Sequence, residues 1–205
     1  MAQREQTIVF KEPKLLIVEG KDDKLFFESM ITFFKIPSIQ VFSVNGKSNF
    51  KPKLHAIIQS PGFHELISDI GIIRDADDNC QNSFKSIQGT LRKEKLPTPS
   101  RLMEKTAGKP SIQIIILPNN RDNGMLEDIC LQSIAQNSIK CIEEYISCMQ
   151  GCNELLSKNL SKTKVYTYLA AQEDPRADLG VSAAQNSWNF DHQAFAEIRK
   201  FLQKL

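Results

Sequence analysis

Three carboxylates crowd into the end of one apolar run, IGIIRDADDN, at Asp75, Asp77 and Asp78. Like charges packed so closely raise one another's pKa unless something positive offsets them. Either water solvates them in a loop, or a cation sits among them. Another acid, Glu19, closes the run LLIVEG, and Glu127 and Asp128 stand together in GMLED. Three or four carboxylates with no matching buried cation read as a hard-cation site. Magnesium binds through few carboxylates, keeps waters and leaves positions for substrate phosphate. That is the chemistry of phosphoryl transfer or phosphodiester cleavage.

Each acid also has a plainer reading. Glu19 alone could be a solvated carboxylate or a helix cap. Asp75-x-Asp77 could be an Asx-rich turn leading into a helix. Asp22 and Asp23 suit the first turn of a helix, and Glu127 and Asp128 could complement a helix dipole. What separates the readings is whether the elements bring these residues together.

Hydrophobic periodicity alternates strands with helices through the first two-thirds of the chain. KLLIVEG (residues 14–20), IQVFSVNG (39–46), DIGIIRDAD (69–77) and IQIIILPN (112–119) read as strands buried on both faces. Helices are expected over 22–35, 49–60 and 79–95. The Pro/Gly-punctuated stretch 96–111 could hold a short hairpin strand at 101–104. A helix begins near Met125, and further helical stretches are expected at 138–149, 153–171 and 191–205.

Such alternation implies a mainly parallel sheet covered by helices. Ligands then bind outside the carboxyl ends of the strands. Glu19, Gly46–Lys47, Asp75–Asp77 and the loop NNRDNGMLED all fall on that edge. Right-handed crossovers would make the first and third strands neighbours, so Glu19 could meet Asp75 and Asp77.

The 205 residues suffice for one domain with a core, or one domain and an extension, divided here as residues 1–130 and a helical 131–205 packed on them. Composition is that of an ordinary globular protein, 41% hydrophobic and 24% charged, and the net charge of +2 neither announces nor excludes a nucleic-acid partner. Its distribution matters more. No acid occurs from Ser29 to His64, where Lys35, Lys47, Lys51 and Lys53 lie, and Lys85–Lys109 holds seven Lys/Arg against two Glu. Lys47 and Lys51 follow the second strand, beside the acids, where they could clamp phosphates. The Lys85–Lys109 set could equally be a solvated helix face.

An odd cysteine count of five and a charged N-terminus without an apolar signal segment point to a cytoplasmic protein with reduced thiols. No run approaches the roughly 20 apolar residues of a membrane helix. Cys148 and Cys152 have half of a zinc spacing with nothing to complete it.

LLIVEGKDD, FSVNG and GIIRDADD, in that order, resemble the Toprim domain of topoisomerases, primases and several nuclease groups. The family's strand-ending Glu, then Gly, then Asp four after the Glu match Glu19, Gly20 and Asp23. Its later Asp-x-Asp matches Asp75 and Asp77. The likeness spans roughly residues 14–128. The ending, ILPNNRDNGMLED with NSWNFDHQAF, is similar to small stand-alone Toprim proteins related to overcoming-lysogenization-defect-type nucleases, which carry a further acid here placed on Glu127 or Asp128. The resemblance implies an α/β, Toprim-like (Rossmann-like), mainly parallel four-stranded sheet with helices on both faces and a C-terminal helical extension.

It also implies roles. Glu19 would act as general acid/base or metal ligand, and Asp75 and Asp77 would hold Mg2+ (or Mn2+), with Asp78 assisting. Glu127 or Asp128 would make a second metal feasible. The chain lacks the added domains of topoisomerases and primases and the four-cysteine zinc site of recombination mediators. What remains is a Mg2+-dependent nuclease acting on DNA or RNA. The alternative is a non-catalytic or regulatory Toprim module binding nucleic acid or a protein partner, as in a defence system. The amphipathic helical tail could supply a homodimer or partner surface.

Overall fold

In the computed structural model, residues 8–152 and 157–205 are described. The order is β1 (Lys14–Val18), α1 (Lys21–Phe33), β2 (Ile39–Ser43), α2 (Phe50–Gln59), α3 (Phe63–Leu66), β3 (Asp69–Asp75), α4 (Cys80–Lys93) and β4 (Ser111–Leu117). Then come α5 (Leu126–Ser133), α6 (Gln136–Cys152), α7 (Leu160–Ala170), α8 (Leu179–Ala184) and α9 (Ala196–Lys204).

The four strands form one parallel sheet in the order β2-β1-β3-β4. β1 and β3 are therefore neighbours, as the sequence reading expected, with β2 and β4 at the edges. Side chains alternate across the sheet with period two. Leu15, Ile17, Ile70, Ile72, Ile112, Ile114 and Ile116 pack on one face against α2, α3 and α4. Leu16, Val18, Ile73, Ile115 and Leu117 pack on the other, against α1, α5 and the C-terminal helices. Burial on both faces explains why the strands are apolar at nearly every position.

The C-terminal helices share that second core. A Cβ added at Gly71 would come within 3.0 Å of Leu205 and 3.2 Å of Phe201, so α9 sits close on the middle of β3. Gln113, the one polar residue inside β4, is fully buried and donates its amide to the Phe201 carbonyl at 2.8 Å. The same carbonyl accepts from the Leu205 amide at 3.2 Å, so the bond from Gln113 is a second one that ties the end of α9 to β4.

The structure departs from the sequence expectations in the connections. No hairpin strand forms at 101–104: Met103 and Thr106 each donate one backbone bond to β4, to Ile114 and Ile112 at 2.9 Å, but no ladder follows. These contacts cover the sheet edge at β4. Residues 153–156 of the expected helix 153–171 lie outside the described residues. Its described part becomes helical only at Leu160, where Asn159 accepts from the Lys162 amide as N-cap. The expected helix 138–149 is longer, running from Gln136 to Cys152, and the last one starts as a 3-10 turn at Gln193–Phe195. Two short helices, α3 and α8, have no counterpart in the periodicity. Among the described residues no helix is long and apolar enough to cross a membrane.

Candidate active site

The carboxyl ends of β1 and β3 and the N-termini of α1 and α5 surround an open cleft of about 450 Å³, with α7 along one side. Glu19, Asp22, Asp23, Asp75 and Glu127 line it, together with Lys21, Lys162 and Tyr166.

Glu19 follows β1 directly, and its backbone is pinned to the loop after β2. Its carbonyl accepts from the Gly46 amide at 2.9 Å, where the φ of 107° suits glycine, and from the Ser43 hydroxyl at 3.3 Å. Asp23 sits in the first turn of α1, and its carboxylate accepts from the Gly20 amide at 2.7 Å. It is thus both a helix cap and a wall of the cleft.

Asp75 ends β3 in register with Leu117 of β4. Its Oδ1 accepts from the Leu126 amide at 3.1 Å, the first residue of α5. A carboxylate at a helix N-terminus is favoured by the dipole and the free amides. Even so, burial pushes its pKa well above the carboxylate range, and Asp23, Glu127, Glu19 and Asp77 push it further. Glu127, 8% exposed in the same helix turn, is raised first by burial, with Lys162 3.7 Å away pulling it back. Burial likewise raises Glu19, Asp22 and Asp23.

The other sequence candidates lie elsewhere. The chain turns at Asp77, whose φ is 50°, and Asp77 bridges Gly124 through two backbone bonds of 2.9 Å. Its carboxylate accepts from Lys47 Nζ at 2.8 Å. Asp77 and Lys47 thus face a second groove of about 330 Å³, shared with Asp78, Asn79, Asn82 and Ser86. Asp78 is exposed there, away from the cleft. Asp128 is committed to packing: it accepts from the Met125 amide at 2.8 Å and from the Ser161 hydroxyl. The second bond ties α7 to the start of α5. Lys51 stands exposed on α2.

Three residues absent from the sequence candidates shape the site. Arg74, 5% exposed, is the buried cation that the sequence expectation left out. Strand parity carried the signal, because Arg74 shares the face of Ile70 and Ile72. Its Nε lies 3.8 Å from Glu19 Oε2, and its guanidinium stands 5.9 Å from the Phe50 ring centroid. Lys162 and Tyr166 come from α7, far along the chain, and only the tertiary packing of α7 on α5 brings them to the cleft. Burial opposes the charge on Lys162, but Glu127 and Asp75 outweigh it and raise its pKa.

The donor set suits a hard divalent cation in kind, being all oxygen and negative, with Glu19 Oε2 buried and without a hydrogen-bond partner among the described residues. In arrangement it stops short. Among the described residues no three Asp, Glu, His or Cys side chains stand together so as to hold a metal ion.

Fold and cleft together define an α/β protein with an acid-lined pocket at the carboxyl edge of a parallel sheet. The chain belongs to the family described as a protein of unknown function, DUF3226, whose model matches residues 13–205. No curated protein matches it. Among solved structures, the C-terminal region of the Xanthomonas campestris pv. campestris OLD protein gives a TM-score of 0.48 at 14% identity, covering 96% of this chain and 97% of that one. The C-terminal region of the Burkholderia pseudomallei OLD protein gives 0.42 at 14% identity, covering 95% and 87%. The fold assignment rests on the strand order and connections alone.

Proposed function

We propose that the cleft hydrolyses nucleic-acid phosphodiesters with Mg2+ or Mn2+ as cofactor. The observation that carries this reading is the gathering of Glu19, Asp75 and Glu127 on one sheet edge, where burial above all, with neighbouring acids adding to it, raises all three pKa values. Acids held at such a cost are relieved by a divalent cation. The Toprim resemblance of Glu19-Gly20-x-x-Asp23 and Asp75-x-Asp77 supports the same assignment.

Asp75, Glu19 and Glu127 would hold the ion, with Asp77 joining once released from Lys47. Bound there, the ion would polarise the phosphoryl oxygens and lower the pKa of a water nucleophile. Glu19, when not engaged as a ligand, would take a proton from the attacking water and return it to the oxygen that leaves as the P–O bond breaks, its raised pKa bringing it nearer neutrality. Arg74 orients Glu19 from behind. Lys162 stands where it offsets charge on the phosphate, and Lys47 and Lys51 extend the positive track along the backbone.

A second reading has an observation of its own. The ion pairs Arg74–Glu19, Lys47–Asp77 and Lys162–Glu127 already give three of the acids a cation, and among the described residues no three acids stand close enough together to hold a metal ion. That is what a non-catalytic module binding nucleic acid or a protein would look like. Incubating end-labelled DNA and RNA with the protein in Mg2+, Mn2+ or chelator separates the two. Metal-dependent products support the nuclease, and intact substrate under every condition supports the module.

A further inference from the structure

The cleft contains an aromatic ring for which the acid chemistry has no use. Tyr166 is 46% exposed and is the one aromatic residue among the described cleft-lining residues. It contributes little to the core: α7 buries Val165 and Leu169, and its other tyrosine, Tyr168, lies 5.6 Å from the Trp188 ring centroid. Tyr166 stands one helical turn after Lys162, so ring and ammonium share a face of α7. Lys162 in turn is 3.7 Å from Glu127, and both line the cleft together with Asp75. Ring and cation thus stand side by side on α7 where it lines the cleft, both about half exposed, with the buried Glu127 beside the cation.

The ring decides which strand such an arrangement suits. At about 450 Å³ the open cleft has room for a group the size of one nucleotide unit. A base offers its face to a side chain only when it is unpaired and unstacked. Single strands are typically held by basic side chains along the backbone and aromatic rings under the bases.

We infer that the cleft takes single-stranded nucleic acid, with one unpaired base stacked on Tyr166 and its phosphate lying between Lys162 and the acids. The inference rests on the phosphodiester reading above and names its substrate class. Stacking needs the ring and not the hydroxyl, so Tyr166→Phe preserves it and Tyr166→Ala removes it. Both substitutions fall on a half-exposed side chain.

The test is fluorescence anisotropy in Mg2+ with labelled oligothymidylate, oligouridylate, a backbone-matched abasic oligomer and a blunt duplex. Tyr166→Ala is expected to bind one or both single strands about 5- to 150-fold more weakly than wild type. Tyr166→Phe should stay within about twofold of wild type, and the abasic oligomer should bind wild type and Tyr166→Ala alike. Equal binding of a single strand by wild type and Tyr166→Ala, or tighter binding of the duplex, overturns the inference. So does failure of wild type to bind any oligomer. Product formation in the same samples judges the nuclease reading separately: Tyr166-dependent binding without cleavage keeps the stacking site and rejects the nuclease.

Discussion

Arg74 Nε lies 3.8 Å from Glu19 Oε2, and both atoms are buried with no hydrogen-bond partner among the described residues. The pair faces across the β1–β3 seam, charge opposite charge, too far apart for a hydrogen bond. Removing one partner leaves the other uncompensated. Glu19 keeps 25% of its side chain exposed, which limits the cost. Arg74→Met is expected to destabilise the fold by about 1–3 kcal/mol, and adding Glu19→Gln should recover much of the loss. Urea denaturation of the two single variants and the double variant measures the coupling, and additive losses would show that the two groups do not interact.

The acids give stability an unusual pH dependence in the absence of metal. Asp75, Glu19, Asp23 and Glu127 all have folded-state pKa values raised above the ordinary carboxylate. The folded state therefore holds more protons than the unfolded chain, and these groups cost stability as pH rises from about 4, the unfolded value, through their folded values. Asp75→Asn still accepts from the Leu126 amide but carries no charge. It should melt higher than wild type at pH 7, by roughly 2–4 °C for each kcal/mol relieved, and the difference should shrink towards pH 4. A difference that is constant across this range would place the effect outside the titration.

Divalent cations should reverse that penalty. Preferential binding to the folded state raises stability by about 2.7 kcal/mol at a hundredfold excess over Kd. Melting curves of wild type should therefore shift upward with Mg2+ and Mn2+, while those of Asp75→Asn should shift much less. A wild-type curve indifferent to both ions would favour the non-catalytic module.

Lys47 has a separate task. It pairs with Asp77 at 2.8 Å in the free protein and is half-exposed on the second groove. Lys47→Ala should weaken nucleic-acid binding and lower the salt dependence of affinity by about one phosphate contact. Unchanged affinity across a salt series would remove Lys47 from the substrate track without touching the acids of the cleft.

Much of this was legible in the residues themselves. Apolar runs such as KLLIV and QIIIL, alternating with helical stretches, read as strands buried on both faces, and right-handed crossovers point to the first and third as neighbours. That reasoning put Glu19 and Asp75 on one edge. It did not separate Asp75 from Asp77, because period-two alternation places them on the same side. The chain turns at Asp77 to bridge Gly124, a tertiary contact that no local pattern announces. Asp128 looked like Glu127 in sequence, yet the helix turn points one into the cleft and leaves the other to bind Ser161. Lys162 and Tyr166 were out of reach, since the docking of α7 depends on side chains spread over several elements.

The central claim is that Asp75 serves a metal-dependent cleavage site, and one comparison addresses it most directly. Wild type and Asp75→Asn are incubated with the same labelled single-stranded and duplex substrates in Mg2+ or Mn2+, with contaminating nuclease excluded by a chelator control. The account predicts that wild type cleaves at least one substrate, and that Asp75→Asn cuts it at least about a hundredfold more slowly while still binding it. Cleavage by Asp75→Asn at the wild-type rate would contradict the account.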